Sequence, residues 1–149
     1  MTRTVLNFDY DWKFHLGEIC IENSNSHSAS YMANKAGEMR GAGGRYWNDT
    51  QWETVDLPHD YYAASGFSEN ATHSHGYRIE SNGWYRKVFL LDEALSDKEL
   101  YLCFEGTAVN AEFYFNGSLM ARSFSAYNET VFNITDRAHF GDKIGRAHV

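Results

Sequence analysis

The sequence predicts an all-β domain, an antiparallel sandwich or barrel, and three observations carry that prediction. Short segments of alternating apolar and polar residues recur, separated by turn signals at intervals of about 8 to 12 residues. The apolar content, 43% of 149 residues, is rich in rings, with 10 Tyr, 10 Phe and 4 Trp, and rings suit a pleated surface. Asn116-Gly117 lies between two of the alternating segments, and a two-residue hairpin turn needs both of its central residues to accept positive φ. No amphipathic helix of more than about two turns is visible.

Taken in order, residues 5 to 16 (VLNFDYDWKFHL) set Trp12, Phe14 and Leu16 against Lys13 and His15, which predicts a first strand. From Gly17 to about Asp49 the pattern dissolves into Asn, Ser, Ala and Gly, a long excursion with a helical turn expected at Ala33 to Met39. Regularity returns at Gln51 to Pro58 (QWETVDLP), anchored by Trp52, Val55 and Leu57. Pro58, the only proline, ends that strand because it lacks a ladder donor. Residues 59 to 83 form a second polar excursion, of the kind that carries binding residues on a β scaffold. Strands follow at Trp84 to Leu91 and at Glu99 to Glu105, where Leu100, Leu102 and Phe104 face one side. Val109 to Phe115 and Leu119 to Ser123 make the hairpin around Asn116-Gly117. Thr130 to Ile134 is the last clear strand, and a turn or short helical segment runs from Asp136 towards Gly141.

Composition narrows the function. The length suits one module and is too short for a domain plus a large catalytic barrel. A net charge of -7, with 13 scattered basic residues, excludes a nucleic-acid partner. No segment approaches the ~20 apolar residues that span a bilayer, so no membrane partner is expected. Met1 to Asp9 lacks a basic stretch followed by an apolar run, so the chain is expected in the cytoplasm. Cys20 and Cys103, each among apolar residues, are expected as buried free thiols rather than a disulfide. The N-x-S/T triplets at Asn48, Asn70, Asn116, Asn128 and Asn133 read as Asn-rich turns.

Three segments in order carry a resemblance. They are Trp52-Glu53-Thr54-Val55-Asp56-Leu57-Pro58-His59-Asp60-Tyr61, then Gly83-Trp84-Tyr85-Arg86-Lys87-Val88-Phe89, then Leu100 to Gly106 running into Phe113-Tyr114-Phe115-Asn116-Gly117. Tyr127 and Phe132-Asn133-Ile134-Thr135-Asp136 follow. Over residues 8 to 142 this succession resembles the N-terminal sugar-binding domain of glycoside hydrolase family 2, β-galactosidase type. The resemblance implies a jelly-roll β-sandwich, galactose-binding-domain-like, that lends loops to the active site of a later (β/α)8 barrel. It also implies an immunoglobulin-like domain in the parent chain and a β-galactoside-like carbohydrate as partner. The family's two catalytic glutamates lie in the barrel, so this chain is expected to hold no catalytic residue. A retaining glycosidase needs two carboxyls roughly 5 to 5.5 Å apart, and the carboxylates here fall mostly in turns and exposed strand positions. No cofactor is expected of the chain, although the parent enzyme can use a divalent or monovalent cation. β-Glucuronidase and β-mannosidase are alternative parent activities, and a stand-alone carbohydrate-binding or lectin-like module, or a structural interaction domain, is an alternative role.

The candidate substrate-binding residues are Asp60, His59 and Asn82. His59 and Asp60 open a loop after Pro58, where a carboxylate either accepts paired sugar hydroxyls or caps the turn. The resemblance places the pair on the side facing the barrel, with His59 in a structural hydrogen bond. Relatives commonly have a Gly-rich stretch where this chain has Arg78-Ile79-Glu80-Ser81-Asn82, which leaves Asn82 as a polar donor. Trp84 and Tyr85 point to opposite strand faces, with packing expected of Trp84. Arg86 reads either as an ion-pair anchor between domains or as part of a solvated strand face. His73 and His75 share a strand face without a third ligand at recognisable spacing, so no zinc is expected. Asp9, Asp11, Asp136 and Asp142 are expected as turn caps rather than calcium ligands.

Ile144-Gly145-Arg146-Ala147-His148-Val149 has no strand alternation and matches the translation of a widely used sequencing-library adapter. Residues 1 to 143 are therefore expected to be a sandwich lacking its last strands, and 144 to 149 a non-native tail.

Overall fold

The computed structural model describes residues 3–19, 41–71, 76–78 and 81–141, together with the backbone of 144–148. The helical turn expected at Ala33 to Met39, and Cys20, His73, His75 and Asp142, lie outside the described residues. The strands are β1 (Trp12–Leu16), β2 (Glu53–Val55), β3 (Gly83–Leu90), β4 (Tyr101–Phe104), β5 (Ala111–Phe115), β6 (Ser118–Ser123), β7 (Thr130–Asn133) and β8 (Ile144–His148). Among the described residues the one α-helical segment is α1 (Tyr61–Ala64). No described helix is long and apolar enough to cross a membrane. The chain divides into two compact units, Met1–Glu18 with Asp49–Tyr85 and Ile19–Asn48 with Arg86–Val149, so β3 starts in the first and ends in the second.

In the first unit, β1 pairs antiparallel with β2 in the register Trp12 to Val55, Lys13 to Thr54 and Phe14 to Glu53. The period of two is visible in burial: Trp12 and Phe14 are buried, while Lys13 and His15 are partly open. Removing two such rings from water contributes about 1.5–3 kcal/mol each. The Trp12 indole nitrogen donates to the Phe8 carbonyl at 2.8 Å, which satisfies the polar edge of a buried ring. β1 is shorter than the predicted segment 5 to 16. Asp11 takes φ 57 immediately before it, and the residues upstream are held by isolated bonds, Leu57 N–H to the Asp9 carbonyl at 2.8 Å and Asp11 N–H to Asp56 Oδ1 at 2.9 Å. Val5 and Leu6 are accordingly exposed.

In the second unit, two antiparallel sheets form a β-sandwich, one running β3-β8-β5-β6 and the other β4-β7. The β5–β6 hairpin turns at Asn116 and Gly117 with φ 49 and 84, the mirror-image turn that the Asn-Gly pair favours. Asn116 is buried, and its side-chain amide donates to the Arg137 carbonyl at 2.8 Å, so this N-x-S/T triplet is part of a packed turn. Asn133 also serves a turn, its Oδ1 accepting from Thr135 N–H at 2.8 Å. The core joins both sheets: Phe113 of β5 lies 4.7 Å from Phe104 of β4 and 5.7 Å from Phe132 of β7, ring centre to ring centre. Phe113 and Phe115 are fully buried, and Ile134 closes the same core.

One strand falls where the sequence shows no alternation, and two expectations, those for Cys103 and Arg86, need correction. Residues 144–148, which show no alternation in sequence, form β8, paired with β3 from Arg86–His148 to Leu90–Ile144 and with β5 at Tyr114–His148 and Phe115–Ala147. A ladder needs only main-chain N–H and C=O groups, and β3 and β5 each present an edge that a strand of any composition can fill. Cys103 is in no disulfide, but its thiol is exposed rather than buried, with Sγ 2.7 Å from Glu129 Oε1. It alternates with Leu102 and Phe104, whose side chains turn inward, and strand geometry sends it to the other face. Arg86 does not lie on an open strand face: it is 1% exposed, and its guanidinium donates to the carbonyls of Ala42, Gly44 at 3.0 Å and Trp47 at 3.4 Å. A planar fork with five donors can collect several carbonyls of a tight turn, here the turn beginning at Gly41–Gly43.

Candidate functional site

The strand that begins at Glu53 leads through a cis Leu57–Pro58 peptide into His59 and Asp60, and the chain then enters α1. Asp60 is the N-cap: with φ -119 and ψ 94, its Oδ1 accepts from Tyr62 N–H at 2.9 Å and Ala63 N–H at 3.0 Å. Of the two readings for this carboxylate, the structure shows the cap. Both bonds engage Oδ1, and Oδ2 of this exposed residue makes no hydrogen bond to the described residues.

Behind Asp60 stands a cluster of rings, all within the first unit. Phe14 lies 4.6 Å from His59, 4.9 Å from Tyr85 and 5.8 Å from Tyr61, the last pair stacked. His59 Nδ1 is 2.9 Å from the Tyr85 hydroxyl, which is also 3.3 Å from the His59 carbonyl. Tyr61 donates its hydroxyl to the Ser81 carbonyl at 2.6 Å. A Cβ at Gly83 would fall 2.9 Å from Tyr61 Cε1 and 3.3 Å from Phe14 Cε2, so the glycine that opens β3 is what lets these rings approach the strand. Tyr85 is thus the member of the Trp84-Tyr85 pair that enters the ring cluster, while Trp84 is half-buried.

Asn82 stands apart from this cluster in its bonding. Its amide donates to Glu18 Oε1, and its carbonyl accepts from Gly17 N–H at 2.8 Å. No bond among the described residues links Asn82 to His59 or Asp60: His59 and Asp60 are neighbours in sequence that face different partners, Tyr85 and the start of α1, and Asn82 braces the end of β1. Sequence reasoning missed Phe14, Tyr61 and Arg78 as parts of this corner. The available signal was the tyrosine immediately following His59-Asp60. Among the described residues, no group of three His, Cys, Asp or Glu side chains could hold a metal ion.

Burial pushes the Tyr85 phenol up to about 12, with Tyr61 and the Asp60 charge acting in the same direction. Because the folded state disfavours the phenolate, this group's contribution to stability is complete below the unfolded value near 10 and is lost as pH rises towards 12. Spectrophotometric titration of Tyr85→Phe is expected to lose one late phenol ionisation and to reduce the steepness of alkaline unfolding between about pH 10 and 12. An unchanged late titration would show that Tyr85 is open in solution.

The fold and this corner define the class: a β-sandwich with a preorganised acidic cap on one loop. No family model matches the chain. It is 32% identical over 113 residues to a beta-galactosidase of Bacteroides ovatus, covering 74% of this chain and 11% of that one. It is 28% identical over 142 residues to a beta-galactosidase of Thermoanaerobacter pseudethanolicus, covering 95% of this chain and 16% of the relative. A beta-glucuronidase of Formosa agariphila is 28% identical over 145 residues, 13% of its own length. Among solved structures, a beta-glycosidase from Bacteroides vulgatus superposes with a TM-score of 0.75 at 26% identity, over 96% of this chain and 16% of that one. A glycosyl hydrolase family 2 member from Bacteroides cellulosilyticus does so with a TM-score of 0.74 at 26% identity, over 96% of this chain and 17% of its own length. The chain belongs to glycoside hydrolase family 2, as its N-terminal domain. It spans 11% to 16% of the length of these curated relatives.

Proposed function

We propose that this chain is the non-catalytic sugar-binding domain of a β-galactosidase, in which Asp60, with its neighbour His59 and with Asn82 from the far end of the same loop, meets hydroxyls of a terminal β-galactoside at the pocket of a later barrel. The observation that carries the reading is the cap geometry. An exposed carboxylate fixed through one oxygen by two main-chain N–H groups offers its second oxygen as a preorganised acceptor. Other carboxylates of the chain are engaged in ways that suit support rather than chemistry: Asp92 caps a turn, Glu112 pairs with Arg122 and Glu129 with Cys103. The role needs no cofactor of this chain.

A β-glucuronidase is the second reading, favoured by the Formosa agariphila relative. Charge argues against it, because Asp60 suits neutral hydroxyls and repels a uronate carboxylate brought within a few ångströms. The test of the division of labour is simple. The chain alone is expected to leave nitrophenyl β-galactoside untouched while the whole enzyme hydrolyses it, and turnover by the chain alone would contradict the proposal.

A further inference from the structure

The loop that carries this corner is closed by one side chain. Arg78 Nη1 donates to the carbonyls of Tyr62, Ala63 at 2.7 Å and Ser65 at 3.1 Å. Its guanidinium carbon lies 5.6 Å from the centre of the Tyr62 ring and 5.2 Å from that of Phe67. A four-residue helix cannot hold itself, because its first turn fixes several dihedrals for a single hydrogen bond. α1 is pinned from outside instead: Asp60 takes the N–H groups at its start and Arg78 takes the carbonyls at its end. Beside Arg78, Ser68 N–H donates to the Tyr77 carbonyl at 2.7 Å and draws the two arms of the loop together.

We infer that Arg78 is a positioning residue for Asp60: by gripping the end of α1 it sets the direction of the helix that Asp60 caps, and with it the place of the second carboxylate oxygen. The inference rests on the reading that Asp60 meets a sugar hydroxyl. Lysine is a poor substitute at position 78, since its side chain is shorter and its ammonium lacks the flat guanidinium that lies near the Tyr62 and Phe67 rings while Nη1 meets the carbonyls.

The test is steady-state kinetics of the whole enzyme on nitrophenyl β-galactoside. Asp60→Asn keeps the cap, since Asn caps as well as Asp, and removes the charge. It is expected to raise KM about tenfold with kcat within about twofold, the signature of lost binding in both ground and transition state. Arg78→Ala and Arg78→Lys are expected to raise KM by a similar factor, and added guanidinium ion to restore part of the loss in Arg78→Ala. In the Asp60→Asn background, Arg78→Lys is expected to add less than about twofold, because no acceptor remains to be positioned. An Asp60→Asn enzyme with unchanged KM overturns the sugar contact, and the inference with it. If Asp60→Asn raises KM while Arg78→Lys leaves it at the parental value, or if the two effects multiply in the double variant, Arg78 does not act through Asp60. Arg78→Lys decides the matter even where Arg78→Ala fails to fold.

Discussion

Replacing Arg86 with methionine is expected to lower the unfolding free energy of the chain by at least ~3 kcal/mol, read from the midpoint of urea unfolding. The methionine keeps much of the length and the apolar stem of the side chain, so the loss isolates the guanidinium. Arg86 is 1% exposed, and the carbonyls of Ala42, Gly44 and Trp47 that it satisfies belong to a tight turn in a mostly buried stretch. Each carbonyl left without a donor costs about 1–3 kcal/mol, and the turn must open to water to recover part of that. Arg86→Lys is expected to recover less than half of the loss, since one ammonium on a shorter side chain does not replace the two guanidinium nitrogens that reach these carbonyls. An Arg86→Met chain with the parental midpoint would show that this turn is hydrated in solution and that Arg86 is no keystone.

Phe113→Ala is expected to cost about 3–5 kcal/mol, because the ring is fully buried and its loss leaves a cavity in the core. Phe104 and Phe132 approach Phe113 from the opposite sheet, and they also lie 6.0 Å from each other in a near-parallel stack. Removing the shared ring therefore strips contacts from both sheets of the sandwich. Phe113→Leu is expected to cost under about 1.5 kcal/mol, since most of the volume remains. A loss for Phe113→Ala no larger than that of Phe113→Leu would mean that the two sheets are not packed through this residue.

The parts of this molecule legible in its sequence are those whose physics is local. Asn116-Gly117 announced its turn because few residues accept positive φ twice in succession, and the hairpin stands where that pair places it. The alternation of Trp12 and Phe14 with Lys13 and His15 likewise marked the buried face of β1. What stayed hidden depends on partners far along the chain. Arg86 is buried because of carbonyls some forty residues upstream, in a segment without periodicity of its own. α1 is one turn long, too short for a period of 3.6 to show, and its stability comes from Arg78 in another part of the loop. Cys103 misled through its apolar neighbours, although the alternation that turned Leu102 and Phe104 inward already implied that the thiol faces outward. At the candidate site, His59 and Asp60 were visible as a motif. The rings of Phe14, Tyr61 and Tyr85 that support them come from three separate elements, and only folding brings them together.

The domain is proposed to serve an enzyme acting on neutral galactosides, with the Asp60 carboxylate as part of the reason. The measurement that tests it most directly is kcat/KM of the whole enzyme on nitrophenyl β-galactoside and on nitrophenyl β-glucuronide. A preference for the galactoside of at least about a hundredfold is predicted, and a preference for the glucuronide would contradict the account.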